Sequence, residues 1–385
     1  MALTETDLIK IREHLHTIPE LSLKEFATHK YLKQVIAGFS QTNLEIKELP
    51  ELPTALLVLV KGTDPVRNIG YRCDMDALPV TEKNGLAYAS TNSGVMHACG
   101  HDIHMTVALG ILSYYSEHQP KDNLIFFFQP AEETESGGRQ AYDLGAFQGE
   151  FHVDEFYGLH DNPQLKAGVI GCRNGTLFAG TTEVNITIHG KSGHAAYPHL
   201  ANDAIVIAAN FINQVQTVIS RSIDPTKCGV ITFGKMEAGV IRNVIAGEAR
   251  IEGTIRGLTQ DMIEFIRQRI KEVAHGLEVS FNCQIQVDYN QGGYYPVEND
   301  PVLTKNFINY MKQNNQVTFE ETEPKMTGED FGYLLNKIPG TMFWLGVDSP
   351  GALHSADFLP KEAAIKQGVD AIIGFLNYRM NLEED

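Results

Sequence analysis

The run NLIFFFQP, Asn123 to Pro130, holds five consecutive apolar residues, Leu124 to Phe128, with no polar alternation, and a proline ends it. A strand with no polar face has to be covered on both sides. In soluble proteins that cover comes from helices packed on a largely parallel sheet. The flanking sequence supplies them. DLIKIREHLHTI repeats apolar residues at helical spacing, SLKEFATHKYLKQVI does the same behind a serine at an N-cap position, and HMTVALGILSYYSEH predicts a third helix. ALLVLVKG and NIGYRCDMDAL read as further strands. Strand and helix in alternation define a layered α/β domain.

From Thr181 the texture changes. TTEVNITIHG alternates strictly and is followed by helix NDAIVIAANFINQVQTVIS, strands CGVITFGKMEAG and GEARIEGTIRG, helix TQDMIEFIRQRIKEVAHGL and strand CQIQVDYNQGG. That β-α-β-β-α-β order is the ferredoxin-like sandwich. Mixed α/β patterning then resumes with PVLTKNFINYMKQN, GTMFWLGVD and EAAIKQGVDAIIGFLNYRM. The predicted architecture is α/β: a mixed-sheet domain from residues 1–178 and 292–385, interrupted by an inserted α+β domain at 179–291.

Charge and composition exclude some classes. Lysine and arginine total 31 against 48 acidic residues, a net charge of −17. No nucleic-acid partner is expected, because binding one rests on cationic contacts to phosphate. No run reaches the ~20 apolar residues of a membrane span. The opening MALTETDLIKIREHLHTIPE is polar and amphipathic, unlike a secretory signal. Cys73, Cys99, Cys172, Cys228 and Cys283 are odd in number, scattered and free of any CxxC spacing. A reducing, cytoplasmic setting is expected. Four of these cysteines read as buried small hydrophobes, and Cys99 stands apart because of its neighbours.

In MHACGHD, Cys99 and His101 lie two apart, so in an extended loop both side chains project to one side. Thiolate and imidazole suit zinc and similar ions; a buried thiol beside a capping turn is the alternative. His97 and His104 read as packing or supporting residues. In FFFQPAEETESGG, Glu132 and Glu133 directly follow the buried strand, where open α/β sheets place their ligands. One carboxylate can bind a metal while the other accepts a proton from water; a solvated acidic loop would look similar. FYGLHDNP delivers His160 at a strand end, GALHSADF places His354 after another, and in YRCDMDAL Asp74 and Asp76 share a face, as loop-capping aspartates also would. Cys99, His101, Glu133, His160 and His354 exceed what one four-coordinate ion takes. They suit a two-ion centre with Cys99 as the bridge, leaving Glu132 to move a proton. In the inserted region, GKSGHAAYPH sets His194 in a glycine-flanked loop, with Asn243 and Arg256 further on. Such residues can serve an oxyanion or a carboxylate, or be ordinary surface.

Taken together, RCDMDAL, MHACGHD, QPAEE, GLHD, GKSGHAAYPH and MTGEDFGYLL…FWLGVD…LHSADF resemble the zinc-type aminoacylase and carboxypeptidase family. Within it they are most similar to the amidohydrolase branch of hippurate and auxin-conjugate hydrolases. The likeness runs from REHLHTIPELSLKE to the last helix. It implies a metallohydrolase catalytic domain with an inserted lid that dimerises, a homodimer, and an N-acyl amino acid as substrate. It also implies that Cys99, His101, Glu133, His160 and His354 hold two divalent ions, with Glu132 as general base and Asp76 as supporting acid. His194 matches a lid histidine that reaches the neighbouring subunit's site, and Asn243 and Arg256 match substrate contacts. Asp74 stands where many relatives have a histidine ligand, and Cys99 where many have a bridging aspartate. Thiolate favours zinc, with manganese, cobalt and nickel as alternatives. The rival readings are a peptidase using the same ions and a non-catalytic binding protein on the same fold.

Overall fold

The run Asn123–Gln129 is a buried strand inside an eight-stranded sheet. Its lack of alternation has a direct cause: Phe126 and Phe128 enter one core cluster, while Phe127 points the other way and meets the ring of Phe147 at 5.2 Å. The computed structural model describes residues 2–382. Across the sheet the strands run Leu44–Leu49, Leu52–Val60, Asn123–Gln129, Asn68–Asp74, Glu155–Asn162, Gly340–Gly346, Ile170–Cys172 and Phe319–Glu321. The third to sixth of these are parallel, and antiparallel neighbours flank them on both sides. Glu155–Asn162 and Gly340–Gly346 are buried along their whole length. Helices Glu5–Thr17, His101–Glu117 and Ala363–Met380 join the core on one face through Leu8, Val107 and Ile372. The result is a mixed sheet whose central parallel strands all end on the same side, the side on which α/β sheets build their sites.

The chain divides into two compact units, one made of Met1–Leu177, Val297–Glu323 and Asp330–Asp385, the other of Phe178–Pro296 and Pro324–Glu329. The second unit is an antiparallel sheet in the order Gly229–Ala238, Glu248–Gly257, Gly180–His189, Gln284–Asn290. This is the ferredoxin-like arrangement. Strict alternation in Gly180–His189 buries Val184, Ile186 and Ile188 against Ile207, Phe211 and Ile266 of helices Ala204–Thr217 and Gln260–Phe281. Both helices start at side-chain caps: Asp203 accepts from the Ile205 N–H at 3.0 Å and Thr259 from the Met262 N–H at 3.2 Å.

Two local expectations fail. The helix expected to start behind a serine cap begins at Phe26, with Glu25 in the cap position and no side-chain cap bond. The Ser22 hydroxyl donates instead to Asp76 Oδ2 at 2.6 Å. Of the five free cysteines, Cys73, Cys99 and Cys172 are buried, but Cys228 is exposed and Cys283 half-buried. Cys228 immediately precedes an edge strand, and Cys283, between a helix end and a strand, packs only partly against the core of the second unit. Among the described residues no helix is long and apolar enough to cross a membrane.

Candidate metal centre

The donors meet where the parallel strands end. Cys99 lies in the turn before helix His101–Glu117, which the chain enters through Gly100 at φ 88°. A Cβ on Gly100 would lie 2.2 Å from Asp161 Oδ2, so both the turn and the space demand glycine there. His101 becomes the first helical residue, and its ring is oriented by Nδ1 donating to the Asp76 carbonyl at 2.8 Å. His160 is oriented the same way, Nδ1 donating to the Asp161 carbonyl at 3.0 Å. Such backbone contacts fix the ring's orientation, and here the other nitrogen lies near the sulfur or carboxylate donors. His160 Nε2 lies 3.5 Å from Cys99 Sγ, and His101 Nε2 lies 3.8 Å from Glu133 Oε1. His354 arrives on the loop after Gly340–Gly346. A left-handed φ of 65° and an N–H bond to the Ala98 carbonyl at 2.8 Å bring its Nε2 to 3.3 Å from Cys99 Sγ and 3.6 Å from Glu133 Oε1. The Glu132 and Glu133 amides both donate to the Asp76 carboxylate, at 3.1 and 3.0 Å.

These donors fit a pair of divalent cations. Cys99, His101 and His160 have ligand atoms within 4.8 Å of one another, and so do Cys99, Glu133 and His354. The two sets share one sulfur, which is the layout a bridging thiolate requires. His101 Nε2 and Glu133 Oε1 are buried without a hydrogen-bond partner, and orphaned groups of this kind cost ~1–3 kcal/mol each unless a ligand satisfies them. The electrostatics agree. Burial pulls the His101 imidazole down, yet Asp74, Asp76 and Glu133 outweigh it and hold the pKa at about 10. Burial, with Asp76 adding to it, pushes the Glu133 carboxyl up to about 7 although His101 opposes the rise. The pocket therefore attracts positive charge. Burial, Glu133 and Glu132 push the Cys99 thiol well up; a coordinated cation reverses that, because a coordinating thiol is deprotonated outright. Alkylation of Cys99 by iodoacetamide is accordingly expected to be slow in the metal-loaded protein and to rise after chelation, read by peptide mass spectrometry. Equal labelling in both states would remove Cys99 from the ligand set.

Glu132, 5% exposed, groups with His101 and Glu133 within 4.8 Å. Asp76 is fully buried beneath them. Asp74 turns away from a simple ligand role: it pairs with His104 Nδ1 and accepts from Arg72 Nη1 at 2.8 Å. Against the cost of burial, His101, His104 and Arg72 keep it well below the usual carboxylate range. His104 in turn accepts the Asp161 N–H on Nε2 at 3.0 Å, a supporting role. His97 is buried with both ring nitrogens unpartnered, and burial lowers its pKa to about 3. The predicted residues of the second unit sit together in part. His194 belongs not to a free loop but to a two-residue strand, Gly193–His194, paired with Val244–Ile245. The Asn243 carbonyl accepts from the Ala195 N–H at 3.2 Å. Arg256 lies on another strand and donates to the Met326 carbonyl at 2.7 Å.

Buried ion pairs to which no local motif assigns a role support the centre. Arg72 donates to Asp330 Oδ1 at 2.9 Å and to Gln129 Oε1 at 3.0 Å as well as to Asp74. On the other side of the helix start, Asp102 binds His16 Nδ1 at 2.8 Å and Arg12 Nε at 2.9 Å. An arginine inside the otherwise apolar strand IGYRC was the available signal for the first of these.

A mixed sheet with an inserted ferredoxin-like unit, and two donor sets at the strand ends that share Cys99, define a metallohydrolase class. The chain belongs to the peptidase family M20/M25/M40, whose family model matches residues 70–378. It is 67% identical over 378 residues to the N-acetyldiaminopimelate deacetylase of Limosilactobacillus reuteri (strain DSM 20016), covering 98% of this chain and 99% of that one. A solved protein from methicillin resistant Staphylococcus aureus superposes with a TM-score of 0.91 at 32% identity, covering 97% of this chain and 96% of the other. The Bacillus subtilis YXEP protein, a dinuclear metal binding peptidase of the M20 family, superposes with a TM-score of 0.86 at 28% identity, covering 98% of each.

Proposed function

We propose that this protein removes the acetyl group from N-acetyl-L,L-diaminopimelate, giving L,L-diaminopimelate and acetate in the route to lysine. The observation that carries the reading is the 67% identity, along nearly the whole of both chains, to a protein named for that reaction. The donor cluster supports the chemistry. Cys99, His101, Glu133, His160 and His354 would hold two divalent ions, zinc by preference for the thiolate. Such ions supply Lewis acidity and make water a stronger acid. Glu132 takes a proton from the attacking water and returns it to the departing amine as the C–N bond breaks. Asp76 keeps His101 and the two glutamates in register. His194 steadies the oxyanion, contributed across a homodimer, and Asn243 and Arg256 hold polar groups of the substrate.

The homodimer is part of the proposal. Supporting it, the second unit exposes Val240, Ile241, Val244, Ile205 and Val206, all but Val206 lining one depression, beside the edge strand Gly229–Ala238. Exposed apolar groupings of this kind mark association surfaces. The double variant V240E/I241E is expected to run as a monomer in light scattering where wild type runs as a dimer; a monomeric wild type at micromolar concentration would contradict it. A cytoplasmic setting is also proposed, since a thiolate ligand needs a reducing compartment.

The test of the reaction is acetate or amine release from a panel of N-acetyl-L,L-diaminopimelate, hippurate and dipeptides. The highest kcat/KM is expected for the first. A preference for hippurate or dipeptides would favour a broader amidohydrolase or a peptidase, and metal-loaded protein inert toward every amide would favour a binding protein.

A further inference from the structure

We propose that Glu25 is a positioning residue for the metal centre: together with Asp76 it clamps three successive backbone amides, those of Ala131, Glu132 and Glu133, and so fixes where the two glutamates point. The inference rests on the reading that Glu132 and Glu133 serve that centre. Ala131 N–H donates to Glu25 Oε1 at 2.9 Å, Glu132 N–H to Asp76 Oδ1 at 3.1 Å and Glu133 N–H to Asp76 Oδ2 at 3.0 Å. Successive amides turned toward one side form a concavity that holds anionic oxygen. Here it is filled from two directions by two buried carboxylates, both with 0% exposure.

Three observations separate this arrangement from ordinary loop packing. Glu25 occupies the cap position of helix Phe26–Ala37 yet makes no cap bond to it. Its carboxylate instead accepts from a loop 106 residues away, with a second bond from the Leu23 N–H at 3.0 Å. Ala131 has φ 55°, a left-handed conformation that a residue with a Cβ keeps only where the surroundings over-determine it. The loop also closes on itself, Gly137 N–H donating to the Ala131 carbonyl at 3.0 Å, and a Cβ on Gly137 would stand 1.8 Å from the Pro130 carbonyl oxygen. The loop has no slack, and Glu25 is its anchor at the residue that turns the chain. Finally, Glu25 and Asp76 belong to segments already tied together: Ser22 Oγ donates to Asp76 Oδ2 at 2.6 Å and Ala77 N–H to the Glu20 carbonyl at 2.8 Å. The PELSLKE segment, which carries no role in the reaction itself, thus reaches the glutamate loop directly through Glu25 and indirectly through the Ser22 bond to Asp76.

The clamp needs an acceptor rather than a charge, and that sets the test. E25A, E25Q and E25D are purified and titrated with Co2+ alone, following the thiolate-to-cobalt absorption and the d–d bands, and then assayed for kcat and KM on N-acetyl-L,L-diaminopimelate. E25A is expected to lose about 10–100-fold in Co2+ affinity or kcat, the range for residues that orient metal ligands, with altered d–d bands and little change in KM. E25Q keeps an amide oxygen for Ala131 and is expected to restore the wild-type spectrum and most of kcat. Should E25A not fold, E25D carries the test, because its carboxylate falls one methylene short while the charge is kept; it is expected to show the E25A spectrum. A folded E25A or E25D with wild-type Co2+ affinity, spectrum and kcat overturns the proposal, as does an E25Q no better than E25A. If wild type itself binds no Co2+, the metal-centre reading fails instead, so the two failures are distinct.

Discussion

An E132Q enzyme is expected to release acetate about 10²–10⁴-fold more slowly than wild type, the usual share of a general base, while retaining the wild-type metal content. The expectation follows from where Glu132 stands. It groups with His101 and Glu133, but it belongs to neither of the two donor sets that share Cys99. Its backbone is tied by an N–H bond to Asp76 that the substitution leaves intact. Glutamine keeps the shape and the acceptor oxygen but cannot hold a proton at neutral pH and hand it on. Turnover and metal content therefore separate, and kcat with elemental analysis on one preparation measures both. Unchanged kcat would remove Glu132 from proton transfer. Loss of metal together with activity would make it a ligand.

The second large effect is on stability. Arg72, Asp74, Gln129 and Asp330 are all fully buried, and the guanidinium binds the other three. R72M keeps the volume and removes the guanidinium from two buried carboxylates; Asp74 keeps His104 and Asp330 keeps the Gln129 amide, but both lose their arginine. Breaking a buried pair from one side costs about 3–5 kcal/mol. Trp344, the chain's one tryptophan, is 3% exposed in the strand Gly340–Gly346 of the same unit. Its fluorescence in a guanidinium titration therefore reports this unit rather than the inserted one. A loss of that size is expected for R72M, with partial recovery in R72M/D330N, where one of the stranded charges is gone. A change below about 1 kcal/mol, the level of an exposed ion pair, would mean that the carboxylates find other partners.

Much of this was legible because the informative residues announce themselves locally. Phe126 to Phe128 could not form a half-exposed strand, and the structure divides them between two faces. Cys99, Glu133 and His354 each follow a turn or a strand end, and His160 stands near the end of its strand, where side chains converge whatever the details of the packing. The alternation in Gly180–His189 announced the inserted sheet. What stayed hidden depends on partners remote in sequence. Ser22 looked like a helix cap because its true acceptor, Asp76, lies 54 positions away. Glu25 and Ala131 are 106 positions apart and Arg72 and Asp330 are 258 apart. Such pairs are chosen by tertiary packing, and local propensity carries no trace of them. Cys228 shows the opposite error. Thiols are usually buried, but this one is exposed beside an edge strand.

The proposed chemistry requires a paired-ion centre that shares Cys99. Crystals grown with zinc and measured on both sides of the zinc absorption edge test it most directly. Two anomalous peaks are predicted, both bonded to Cys99 Sγ, one completed by His101 and His160 and the other by Glu133 and His354. One peak alone, or zinc bound elsewhere with the Cys99 sulfur uncoordinated, would contradict it.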